Sequence, residues 1–341
     1  MKLAIKLNSI FIVCTLCCLL PGLFTGSIST RFDTWILAAV IFTTGIPHGA
    51  IDHIIYKNNV QGLQKTSPAW HWRLFFIPYI GLLILTVFCW MLLPAITFFV
   101  FLSVSCYHFG QSQLFYLQLD ESKTLKVTLY LGWGVLLMGF LWLQNWQLQA
   151  PAIQTLFSWS LQMGGILYSI VLLLTIAAGL VTCFIFCLLL RRKLLPLKLF
   201  VQELLVLAVL LLMIRISSMY IAFAIYFGLW HSLRVVITEY QYLSVRPGGI
   251  SLKNFIGAFI PFSAISIAGL LLLFLASAFT GAYISPFMLF LIFISSLTMP
   301  HAFVMQGMYH TLSKQEILHL ESHMKRRNTL VGNPVESSAH I

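Results

Sequence analysis

Gly45-Ile46-Pro47-His48-Gly49-Ala50-Ile51-Asp52-His53 places two imidazoles, a carboxylate and a proline inside an otherwise apolar run of the chain. Titratable side chains are costly at bilayer depth, and where they occur they face a bundle interior and serve a purpose. The surrounding composition decides whether this stretch lies at such a depth. Of the 341 residues, 60% are hydrophobic and 9% charged, against about 25% charged in soluble domains, and the mean hydropathy is +0.93. The chain therefore reads as an all-α, polytopic integral membrane bundle.

Apolar runs of about 20 residues, enough to cross a hydrocarbon core of about 30 Å, fall near 7–26, 33–56, 74–93, 95–118, 125–146, 163–190, 196–214, 217–240, 255–279 and 286–310. That predicts about ten transmembrane helices. Cytoplasmic loops collect lysine and arginine, and this tests the count. With both termini cytoplasmic, only Arg31 and Arg215 of the 20 basic residues fall on the outer side, whereas one miscounted span would invert every later loop. The formal charge of +11 is thus a topology signal in short clusters, not a nucleic-acid face. The expected location is the cell membrane, as a multi-pass protein.

Residues 1–313 are expected to form one transmembrane domain. The polar segment 314–341, with Lys325-Arg326-Arg327, reads as a cytoplasmic tail, partly disordered. Lys2, Lys6 and the apolar run from Ile10 imitate a signal peptide, but no small-residue cleavage site follows, and the segment is kept as the first span. The seven cysteines lie within apolar segments and read as small hydrophobes. Cys14-Thr15-Leu16-Cys17 has the spacing of half a zinc site but lacks a second pair.

Ten histidines are present. His71 stands between two tryptophans at an interface, and His310, His319, His323 and His340 lie at or beyond the end of the last span. His53 is near the cytoplasmic end of its helix. The other four, His48, His108, His231 and His301, occupy the second, fourth, eighth and tenth spans, all running in the same direction. Each lies about 13–15 residues from the outer end of its span, which at about 1.5 Å per residue puts them in one plane to within about 3 Å. A neutral imidazole in hydrocarbon needs a partner for each nitrogen, and one shared metal supplies a partner to all four. An all-imidazole set suits zinc, copper, iron or nickel and disfavours calcium and magnesium. Asp52, one turn from His48, Gln111, near one turn from His108, and Glu203, the deep acid of the seventh span, are the expected supporting groups. The competing expectation for Glu203 is an ion pair with Lys198.

At these residues the chain resembles the Brp/Blh family of membrane β-carotene 15,15′-dioxygenases. The resemblance rests on Pro47-His48-Gly49-Ala50-Ile51-Asp52-His53, Tyr107-His108-Phe109-Gly110-Gln111, Trp230-His231-Ser232-Leu233-Arg234 and Pro300-His301. It implies a helical membrane enzyme with Fe(2+) on histidines that cleaves the central double bond of β-carotene with O2 to two all-trans-retinal, in membrane lipid and with a functional link to a retinal-binding rhodopsin. His48, His108 and His231 carry over as iron ligands. The family has a further histidine one turn after the one matching His231, where this chain has Val235. The common depth nominates His301 as the fourth ligand, with His53 as the fallback.

A hydrocarbon substrate dissolved in the bilayer calls for a lateral entrance and an aromatic tunnel, for which Tyr107, Phe109, Tyr226, Phe227, Trp230 and Phe303 are the candidates. Two alternatives stay open at this point: cleavage of a different carotenoid or apocarotenoid on the same scaffold, and a non-enzymatic haem- or metal-binding membrane protein.

Overall fold

The computed structural model describes residues 2–25, 30–60, 68–117, 119, 122–148, 161–245, 249–280 and 286–331. Among these it is all-α, without strands. The helices are α1 (Lys2–Thr25), α2 (Thr30–Val40), α3 (Asp52–Val60), α4 (Pro68–Leu92), α5 (Pro94–Leu114), α6 (Lys123–Gln144), α7 (Leu161–Arg191), α8 (Leu197–Ile216), α9 (Met219–Ala224), α10 (Arg234–Ser244), α11 (Leu252–Thr280) and α12 (Pro286–Val331). Among the described residues eight segments are long and apolar enough to cross a membrane. The two other expected spans are helical as well: α1, with an apolar core at Ile5–Leu19, and α5. The final helix runs on to Val331, so the first part of the expected tail is helical, while 332–341 lie outside the described residues.

Two spans are not regular. Between α2 and α3 the chain passes through a π-helical segment, Ile41–Gly45, and a 3-10 turn, Pro47–Gly49. Pro47 lacks the N–H that would continue the ladder. Between α9 and α10 lies a second π-helical segment, Ile225–Leu233. π-segments widen a helix locally and recur at functional sites; here one ends three residues before His48 and the other contains His231. They meet where Gly45 faces the Phe227 ring, so closely that an added Cβ would lie 2.6 Å from it.

Packing in lipid depends on close approach of small residues, not on exclusion of water. α5 and α6 show this most clearly. A Cβ on Gly110 would lie 1.9 Å from the Tyr130 carbonyl oxygen, and one on Gly134 would lie 1.9 Å from that of Cys106. The two backbones are therefore in direct contact, which fixes α5 and with it His108. α1 is also built into the bundle: Phe11 meets Trp230 edge-on at 5.5 Å, and the Trp230 indole N–H donates to Thr15 at 2.9 Å. All seven cysteines are free thiols. α11 is the least embedded span, with a row of exposed apolar residues that includes Ile256, Ile260, Ile265 and Leu272.

Candidate metal centre

His48, His108, His231 and His301 come from four separate elements and meet in the interior, all buried. Their ring centroids close a circuit: His48 to His231 5.3 Å, His231 to His108 4.9 Å, His108 to His301 5.1 Å and His301 back to His48 4.8 Å. Each ring meets its neighbours nearly edge-on. The common depth expected from the sequence is thus a common place.

Three of the rings are anchored through Nδ1. His48 Nδ1 is hydrogen-bonded to the Gly45 carbonyl. His301 Nδ1 lies 2.8 Å from Asp52 Oδ1, and Tyr79 donates its hydroxyl to Asp52 Oδ2 at 3.0 Å. His231 Nδ1 lies 3.0 Å from Ser112 Oγ. Ser112 donates its own hydrogen to the Phe109 carbonyl at 2.9 Å, so its oxygen is left to accept from His231. Each anchor therefore puts the proton on Nδ1 and leaves Nε2 with its lone pair, the tautomer a metal-binding histidine uses. Gly49 lies alongside, where an added Cβ would come within 3.4 Å of His301 Nδ1.

The remaining nitrogens ask for an electrophile. His108 has neither Nδ1 nor Nε2 hydrogen-bonded, and His301 Nε2 also has no partner, although all three atoms are buried. Buried nitrogens without partners carry a cost of about 1–3 kcal/mol each unless something binds them. Imidazoles ligating at about 2.1 Å have ring centres about 3.2 Å from the metal, which places neighbours about 4.5–5.2 Å apart at right or tetrahedral angles. The observed circuit has that spacing. The nitrogens themselves are not drawn onto one point: among the described residues no three His, Cys, Asp or Glu side chains stand at metal-holding distances. Ring spacing, tautomers and orphaned nitrogens together fit a first-row transition metal.

The other expected residues fall as follows. His53 stands apart from the circuit, its ring 4.4 Å from that of Phe262. Asp52 supports a histidine, but it is His301 from α12 and not His48 of its own span. Gln111 donates to Gln306 Oε1 at 2.7 Å, an oxygen that also accepts from Tyr107 at 3.1 Å. Glu203 accepts from Asn8 at 2.6 Å, from Gln113 at 3.1 Å and from Tyr116. The cation of this cluster is Arg234, which donates to Asn8 Oδ1 at 2.6 Å, whereas Lys198 is exposed. This cluster joins α1, α5, α8 and α10.

Two apolar cavities open on the histidines. One, of about 240 Å³, extends from Gly49 and Asp52 past Phe75 and Tyr79 to Phe262. The other, of about 210 Å³, extends past Phe109 and Phe227 to Phe98 and Trp142. His48, Ile294, Thr298 and His301 line both. Of the six aromatic residues expected at a tunnel, Phe109 and Phe227 line a cavity. Tyr107 reaches Gln306, Tyr226 and Trp230 are buried among the helices, and Phe303, 68% exposed, faces outward. Phe303 is two positions from His301 and so on the opposite helix face. The residues missed in its place sit one or two turns before three of the histidines: Ser105 and Phe101 before His108, Thr298 and Ile294 before His301, and Phe223 before His231.

Fold and site together define a polytopic helical membrane protein with a histidine centre where two apolar cavities join. A family model described as beta-carotene 15,15'-dioxygenase matches residues 39–309, and the chain belongs to that family. The matched region takes in all four histidines, both π-segments and, apart from Leu37, the lining of both cavities, and leaves out the whole of α1. Neither curated proteins nor solved structures include a match to the chain.

Proposed function

We propose that the protein is an iron-dependent β-carotene 15,15′-dioxygenase that cleaves the central double bond with O2 to give two molecules of all-trans-retinal. His48, His108, His231 and His301 would hold the Fe(2+). The observation that carries this is the closed circuit of four imidazoles with three Nδ1 atoms anchored, at the junction of two cavities without a charged wall of their own beyond Asp52. The activity by which the family is described supports β-carotene as the substrate.

Ferrous iron, when bound, supplies the electron chemistry by which O2 can react with a closed-shell alkene. The reaction balances without a further reductant: one C=C and one O–O bond break, and each carbon takes one oxygen as an aldehyde. The chain's own contribution is positional. Gly45, Asp52 and Ser112 fix three imidazoles as Nδ1–H tautomers, which keeps the Nε2 lone pairs available. Tyr79 holds Asp52 in place. Neutral ligands leave the cation its full charge, and the apolar cavities exclude the water that would compete for open positions. The substrate arrives from the bilayer, where an all-carbon chain is already dissolved.

The haem alternative is disfavoured by the same spacing. Neighbouring rings meet nearly edge-on 4.8–5.3 Å apart, closer than two axial imidazoles on opposite faces of a macrocycle would stand. A different carotenoid on this scaffold remains a matter of cavity shape. The test is expression in a β-carotene-accumulating host, with chromatography of the aldehydes formed. Retinal at the expense of β-carotene is expected; full consumption without a C20 aldehyde would assign another cleavage.

A further inference from the structure

The two cavities differ in one respect that volume does not show. In the 240 Å³ chamber Ile80 of α4 is 48% exposed and Ile265 of α11 is 64% exposed, so its wall opens to lipid between those helices. In the 210 Å³ chamber every lining residue is buried or half-buried. The first chamber is therefore read as the doorway and the second, the more enclosed of the two, as a blind arm.

The blind arm has a measurable length and a rigid end. Phe98 lies ten residues before His108 on α5, and Leu291 ten before His301 on α12, so both stand about 15 Å from the histidines along their helices. An extended carbon chain, with zigzag bonds of about 1.5 Å, advances roughly 1.25 Å per bond, so the arm takes roughly a dozen bonds. That is close to one half of β-carotene counted from its central bond to the far edge of its ring. At the end, Phe98 stacks on Trp142 with centroids 5.5 Å apart, and Trp90 closes behind Phe98 at 6.5 Å. The Trp90 indole is itself fixed by a 2.7 Å hydrogen bond to Ser295.

We propose that this blind arm is the ruler that selects the bond to be cleaved: a substrate enters through the α4–α11 side and advances past the histidines until its ring stops against Phe98 and Trp142. The bond then standing at the histidines is set by the distance from that ring, not by the midpoint of the molecule. The inference rests on the carotenoid-cleavage function proposed above.

The test uses the full-length, iron-loaded protein in detergent or vesicles. Wild type is given β-carotene and, separately, an apo-β-carotenal that has one intact ring end and a shortened other end. A ruler gives retinal from both, because the ringed half is measured alike. Trp142→Ala, which deepens the arm, shifts product from retinal toward a pair of unequal aldehydes, one longer and one shorter, by at least tenfold in their ratio to retinal. Cleavage of the apocarotenal at its own midpoint overturns the proposal, and so does unchanged retinal-only product from a folded Trp142→Ala protein. The apocarotenal arm decides the matter if that variant does not fold. Absence of retinal from β-carotene with wild type would instead refute the underlying function, which keeps the two failures distinct.

Discussion

Asp52 Oδ1 lies 2.8 Å from Nδ1 of His301, a residue 249 positions further along the chain. The contact ties the irregular segment at the second span to the last helix and fixes the tautomer of one corner of the histidine circuit. Carboxylate–histidine pairs of this kind orient metal ligands and raise their basicity.

Replacing Asp52 by Asn removes the charge and keeps the shape. Iron affinity should fall about 10–100-fold, seen as loss of iron from purified protein against a graded chelator. Tyr79→Phe, which removes only the hydrogen bond to Asp52 Oδ2, should fall between this variant and wild type. Equal iron retention in all three would separate Asp52 from the centre.

Ser112→Ala leaves the His231 Nδ1–H buried without an acceptor, at a cost of about 1–3 kcal/mol. Loss of iron and of aldehyde formation is expected, with helical content by circular dichroism retained. Ser112→Thr keeps the oxygen and should restore much of the iron, which a purely steric effect would not allow.

His301 and His53 give opposite expectations. His301→Ala should lose iron and activity as severely as His48→Ala, because each removes one corner of the circuit. His53→Ala should retain iron, since its ring packs on Phe262 outside the circuit. Elemental analysis with a product assay checks both.

Gly134 tests the scaffold. A side chain there meets the Cys106 carbonyl at 1.9 Å and must push α5 from α6, and overpacking of this kind costs about 1–3 kcal/mol or more. Gly134→Val should therefore lower the thermal midpoint in detergent markedly. Gly81→Ala, with nothing within 4 Å of the added atom, should leave it unchanged or raised.

Glu203→Leu strands Arg234 in the interior. Breaking one member of a buried charged cluster costs about 3–5 kcal/mol, while replacing both members by apolar residues is often near neutral. Thermal unfolding should show a large loss for Glu203→Leu and partial recovery in Glu203→Leu/Arg234→Met.

Much of this arrangement was legible in the sequence, and its limits have physical causes. Hydropathy gave the helical membrane bundle because lipid demands long apolar runs. The four histidines were found by depth, which only requires counting residues along parallel helices. Depth does not give rotation about the helix axis, and that is where the expectations parted from the structure. Glu203 met Arg234 through Asn8, and Phe303 faced outward. Helical stepping from each histidine finds Phe101, Phe223 and Ile294. The π-segments and the Nδ1 anchors at Ser112 and Gly45 depend on tertiary contacts that no local pattern encodes.

The proposed centre is one iron held by four imidazoles. X-ray absorption at the iron edge of the purified protein tests it most directly. About four histidine nitrogens at about 2.1 Å around a single iron are expected, with the imidazole count falling in His301→Ala. A carboxylate- or porphyrin-dominated shell, or wild-type protein that takes up no iron, would contradict it.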